Sequence, residues 1–162
     1  MISSLLFRMS RDLDIRCVFW KDIFPNSKFQ FFCLSRLTAK FGSNFDLEIL
    51  LNFLQSCPKI ESLILMIWDQ PRVYSEDREA NEMSSTVPPC LVSSLKFVEL
   101  IRPISEYEGK MILVGYFLKN STILEKLTLR LCDCNSIEAN DVTRKEILAM
   151  PRCSTTCEVL VL

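Results

Sequence analysis

The sequence predicts an α/β solenoid: a short arc of about five strand units, parallel strands on the inner face and helices on the outer face. Three observations carry this. The stretch "FLKNSTILEKLTL" at 117–129 repeats the pattern of "FLQSCPKIESLIL" at 53–65, 64 residues earlier. A Leu-x-x-Leu-x-Leu template with apolar tolerance fits at Leu34-Leu37-Ala39, Ile60-Leu63-Leu65, Val92-Leu95-Phe97, Leu124-Leu127-Leu129 and Cys157-Leu160-Leu162; the starts advance by 26, 32, 32 and 33 residues. Helical periodicity precedes several of these matches. A near-constant period of about 20–50 residues marks stacked supersecondary units.

The elements follow in order. Residues 1–33 form an irregular lead-in, although Leu13, Ile15 and Cys17 alternate with polar residues and predict a strand. In each template match the last two apolar residues are two apart, so they face one side of a strand. "NFDLEILLNFLQS" places Leu47, Leu50, Leu51 and Leu54 at i, i+3, i+4 and i+7, a helix face, with Asn44 or Asp46 to cap it and Pro58 beyond its end. Residues 69–86 are charged and lack apolar periodicity, so they read as a loop, either a solvated insertion or a contact segment. "GKMILVGYFLKN" sets Met111, Val114 and Leu118 on one helix face with Ile112 and Phe117 beside it. "NDVTRKEILAM" predicts a last helix capped by Asp141 and stopped by Pro151. Helices between consecutive strands make those strands parallel. The whole is leucine-rich-repeat-like, with a repeat region over 34–86 and a more distinctive segment over 87–162.

Composition excludes several chemistries. The chain has no histidine, which removes Ser-His-Asp and Cys-His catalysis and the commonest zinc ligand. Its 3 glycines, Gly42, Gly109 and Gly115, make no phosphate-cradling pattern. The net charge of −1 gives no reason to expect nucleic acid or an anionic membrane as partner. Arg8 interrupts the short apolar run at the N-terminus, so no secretion signal is expected, and no apolar run is long enough to span a membrane. The 8 cysteines then read as reduced, mostly buried thiols of a cytoplasmic or nuclear protein. Cys132, Cys134, Cys153 and Cys157 lack the paired spacing of a zinc site, so neither metal nor cofactor is expected.

Residues 87–162 carry more than periodicity. Pro89, Cys90 and Leu91 are followed by Ser93 to Lys96 ("SSLK"), then Phe117 to Asn120 ("FLKN"), then Pro151, Arg152, Ser154 and Cys157. This ordered set resembles the FBD domain found at the C-terminus of plant F-box proteins with leucine-rich repeats; "SCPKIESLIL" at 56–65 resembles their repeats. The resemblance implies a non-catalytic interaction module akin to the substrate-recruiting part of a ubiquitin-ligase receptor. No F-box is visible in the sequence, so a Skp1-like adaptor is not expected to dock; the alternative is a truncated fragment of a full SCF-type receptor.

An arc of this kind presents an open inner face. The strand positions between the core leucines are expected there: Arg36, Thr38 and Lys40; Ser62, Ile64 and Met66; Ser94, Lys96 and Val98; Lys126, Thr128 and Arg130; Val159 and Val161. Five of these are basic and none acidic, while Glu61, Glu125 and Glu158 fall just before the strands. The candidate partner surface is therefore Arg36, Lys40, Glu61, Lys96, Glu125, Lys126, Thr128 and Arg130, which would take an acidic or mixed peptide from an unknown protein partner. Ordinary solvated charge with cross-strand pairing is the competing account.

Overall fold

The computed structural model describes residues 11–16, 30–41, 47–67, 86–101, 108–131 and 137–162. Six strands form one parallel sheet in sequence order: β1 (Asp12–Arg16), β2 (Arg36–Phe41), β3 (Ser62–Ile67), β4 (Phe97–Ile101), β5 (Lys126–Arg130) and β6 (Glu158–Val161). Four helices connect them: α1 (Leu47–Gln55), the single turn α2 (Cys90–Ser93), α3 (Glu108–Asn120) and α4 (Ile137–Ala149). The strand around Leu13 and the five template units together account for the six strands. The charged stretch 69–85 and the cysteines at 132 and 134 lie outside the described residues.

Two rows of side chains hold the sheet to the helices. Leu13, Leu37, Leu63, Val98, Leu127 and Val159 share one register row, and Ala39, Leu65, Leu100, Leu129 and Val161 share another. All are buried and join a single core with Leu50, Leu54, Leu113, Val114, Phe117 and Ile147 from the helices. Each fully buried aliphatic side chain contributes about 1.5–3 kcal/mol of transfer free energy, so this seam dominates the stability of the arc.

The turn into each strand has a repeated hydrogen-bond pattern. The carbonyls of Arg11, Ser35, Glu61 and Lys96 each accept two successive N–H groups from the next unit, at 2.8–3.1 Å. Two residues opposite one is a bulge, which bends the strand start and sets the three-residue step from the first core residue to the second. Leu34, Ile60, Leu95 and Leu124 fill that first position and are buried. Hydroxyls then stitch neighbouring units: Ser94 Oγ donates to the Pro58 carbonyl at 3.1 Å, Thr122 Oγ1 to Val92 at 3.2 Å and Ser154 Oγ to Leu124 at 2.6 Å.

The structure corrects four expectations. The third unit is Leu95-Val98-Leu100, three residues beyond the predicted match, because Val92 lies exposed on α2 while α2 buries Cys90 and Leu91 instead. The first four units therefore begin at intervals of 26, 35 and 29 residues. In the last unit Glu158 alone donates to the Glu125 carbonyl, so the bulge is missing and the core positions are Val159 and Val161, not Leu160 and Leu162. Helix α4 starts at Ile137, which places Asp141 inside it rather than at its cap. On α3, Leu113 joins Val114, Phe117 and Leu118 in the core, whereas Ile112 is exposed; the side chain of Met111 lies outside the description.

Candidate functional site

Alternation along a strand sends every second side chain to the face opposite the helices. Register lines these up into three rungs across the sheet. The first holds Asp12, Arg36, Ser62, Phe97, Lys126 and Glu158; the second holds Asp14, Thr38, Ile64, Glu99, Thr128 and Leu160. The third holds Arg16, Lys40, Met66, Ile101 and Arg130, and Leu162 extends it beyond β6, where the Leu131 N–H donates to its carbonyl at 2.8 Å.

Of the predicted surface residues, Arg36, Lys40, Lys126, Thr128 and Arg130 sit on these rungs. Glu61, Lys96 and Glu125 sit together in the row of doubly accepting or adjoining carbonyls just before the strands. Lys96 is therefore beside Glu125, with Nζ 3.9 Å from its carboxylate, rather than on the inner face. Ser94, Val98, Val159 and Val161 also leave the inner face. Phe97, Glu99, Ile101, Glu158, Leu160 and Leu162 take it instead, as the two register corrections require.

The charge pattern changes accordingly. Acidic residues do occupy the inner face, and they pair across strands: Arg36 with Asp12 at 3.6 Å, Lys126 with Glu158 at 3.7 Å, and the Arg130 Nε with Glu99. All three pairs are substantially solvated, so each contributes roughly 0–1 kcal/mol; they order side chains more than they stabilise the fold.

A hollow of about 300 Å³ opens on the β3–β6 side of this face. Ile64, Phe97, Leu160 and Leu162 give it apolar walls, and Glu99, Lys126, Thr128 and Arg130 supply polar ones. Phe97 is 43% exposed and Leu162 57% exposed, an aromatic and an aliphatic group presented to solvent beside charges. A signal for Phe97 was present in "LKFVEL". Putting Phe97 in the core would also send Glu99 inward, and burying an unpaired carboxylate is costly. The alternative phase buries Val98 and Leu100 at no such cost. Among the described residues no group of three or more Cys, Asp or Glu is placed to hold a metal ion. No helix among them is long and apolar enough to cross a membrane.

A sheet in sequence order, a periodic bulge, helices on one face and an open face bearing the hollow define a leucine-rich-repeat-type solenoid. Residues 82–129 match the model of the FBD family. Two F-box/FBD/LRR-repeat proteins of Arabidopsis thaliana are 50% identical over 169 residues (99% of this chain, 38% of the relative) and 46% identical over 157 residues (93% and 34%). An FBD-associated F-box protein of the same plant is 40% identical over 143 residues (88% and 29%). By these likenesses the chain belongs with the plant F-box/FBD/LRR-repeat proteins. It spans less than two-fifths of the length of the curated relatives it matches, at most 38% in these three. No solved structure matches it significantly.

Proposed function

We propose that this chain is a non-catalytic recognition module whose open sheet face binds a protein partner. That is the part substrate-recruiting repeats play in a ubiquitin-ligase receptor of the F-box/FBD/LRR type. The observation that carries the reading is the solvent-exposed Phe97 in an apolar hollow bordered by Lys126, Arg130 and Glu99. Exposed aromatic groups ringed by polar side chains are the usual energetic centres of protein interfaces. Of the eight surface residues predicted from sequence, Lys126, Thr128 and Arg130 line this hollow; in this reading the eight act as orientation and specificity contacts. In this reading residues 1–33 are a lead-in, 34–86 the repeat region and 87–162 the FBD-like unit. The cytoplasm or nucleus, where thiols stay reduced, is the working compartment.

The test is a paired capture from plant extract, using the immobilised full chain and its Phe97→Asp variant, with bound proteins identified by mass spectrometry. Phe97 is on the open face, so the variant keeps the fold, checked by circular dichroism. The expected outcome is a small set of proteins held by the wild type and lost from the variant. Identical sets from both would end the proposal.

A further inference from the structure

The three rungs of the open face differ in their charge. On the first, the described basic side chains are already matched, Arg36 by Asp12 and Lys126 by Glu158. On the second, the carboxylate of Glu99 is bound by Arg130. Among the described side chains the third rung has no acidic residue: Lys40, Met66, Ile101, Arg130 and then Leu162. Lys40 makes no ion pair among the described residues. Glu99 engages Arg130 only at Nε, so its Nη groups are left without a bond among the described residues, and the side chain is 52% exposed. Lys40 and the outer guanidinium edge of the Glu99-paired Arg130 therefore flank two apolar side chains, Met66 and Ile101, along one register row of the sheet.

We propose that this rung selects an extended peptide with the pattern acidic-x-apolar-x-acidic, a deepening that rests on the open face being the partner surface. The spacing follows from sheet geometry. Strands are about 4.8 Å apart, so Lys40 on β2 and Arg130 on β5, three strands on, are separated by about 14 Å. An extended chain advances about 3.3 Å per residue and sends alternate side chains to one side, so positions i, i+2 and i+4 face the rung and span about 13 Å. An acidic residue at i meets Lys40 and one at i+4 meets Arg130. The apolar residue at i+2 lies over Met66 and Ile101. The pattern reads the same in both chain directions, so the rung fixes spacing without fixing polarity.

The probes are three fluorescein-labelled peptides, each padded with Gly and Ser. One contains Glu-Ser-Leu-Ser-Glu, one has the same residues with the two Glu adjacent, and one has Lys in place of both Glu. Binding to the full chain is read by fluorescence anisotropy at low salt. The spaced acidic peptide is expected to bind about threefold more tightly than the clustered one, and about tenfold more tightly than the basic one. Added salt should shrink both gaps. Lys40→Glu should erase the preference for the spaced peptide, while Lys59→Glu, exposed but off the rung, should leave it intact. Equal binding of all three peptides, no measurable binding of the spaced one, or a preference indifferent to Lys40→Glu overturns the spacing rule. A partner captured through Phe97 but indifferent to Lys40→Glu would leave the open face as the partner surface and remove only this rule; a capture indifferent to both variants removes both.

Discussion

The thiols of Cys57 and Cys90 show how single residues are governed here by burial. Both are fully enclosed, and the Cys90 thiol donates to the Leu54 carbonyl at 3.8 Å. Desolvation penalises the thiolate, pushing Cys90 up to about 12 and Cys57 further still, the latter raised also by its proximity to Cys90. Folded thiols thus stay protonated where unfolded ones, near 8.5, ionise. Below about pH 8.5 their contribution to stability is complete. As pH rises from there towards 12 it is lost, at up to ~1.4 kcal/mol per pH unit for each thiol. The urea midpoint of the wild type is expected to fall more steeply between about pH 9 and 10.5 than that of the Cys57→Ala/Cys90→Ala double variant; parallel slopes would refute this. Iodoacetamide at pH 8 should correspondingly modify the exposed Cys33 and Cys153 and spare the buried pair, as read by peptide mass mapping. Of the five described cysteines, Cys57, Cys90 and Cys157 are buried as the sequence reading expected, because cysteine in a histidine-free chain without zinc spacing behaves as a small hydrophobe. What it could not separate was Cys33 and Cys153 from the rest, because their exposure depends on which neighbours the fold brings against them.

Among the elements, α3 buries more described side chains than any other helix. Leu113, Val114, Tyr116, Phe117 and Leu118 are all buried, yet Gly115 stands in its middle. Glycine in a helix interior costs about 1 kcal/mol relative to alanine. A Cβ at Gly115 would meet the Met150 sulfur at 3.9 Å, an ordinary contact distance. Gly115→Ala is therefore expected to stabilise the chain by about 0.5–1 kcal/mol, seen as a rise in melting temperature; a fall would show that the α3–α4 seam needs the closer approach. The elements also differ in how plainly the sequence announces them. Helix α1 was legible because Leu47, Leu50, Leu51 and Leu54 repeat at helical spacing before a proline. The start of α4 was not: among its described side chains only Ile147 is buried, so no apolar stripe marks its first turns, and Ile137 is 81% exposed. Strand β4 was found but misphased, since Val92-Leu95-Phe97 and Leu95-Val98-Leu100 both satisfy the template. The cost of burying Glu99 and the burial of Cys90 and Leu91 by α2 favour the second, and that misphasing is what hid Phe97, the centre of the candidate site.

At the scale of the whole molecule, a solenoid is a one-dimensional stack in which each unit is stabilised by its neighbours alone. The strand order β1-β2-β3-β4-β5-β6 means that β3, β4 and β5 are each paired on both sides. Among the described residues β1 and β6 are paired on one side, but the two ends are not equivalent. At the β6 end, Arg144 Nη2 donates to the outward Val161 carbonyl at 3.0 Å, Arg152 Nη1 to Cys157 at 3.0 Å, and the buried Ser154 hydroxyl ties the turn to Leu124. At the β1 end the Arg11 carbonyl accepts the Ser35 and Arg36 N–H groups and the partly exposed Ser35 hydroxyl, and the solvated Asp12–Arg36 ion pair lies beside it. Local opening follows the number of buried contacts and shielded hydrogen bonds. Native-state hydrogen exchange is therefore expected to be slowest in β3 to β5, intermediate in β6 and fastest in β1. Equal protection of β1 and β4 would show that the arc opens only as a whole. A graded profile would mean that the hollow around Phe97, built on β3 to β6, stands on the most persistent part of the sheet, so that a partner docking there meets a preorganised surface and loses little affinity to ordering it.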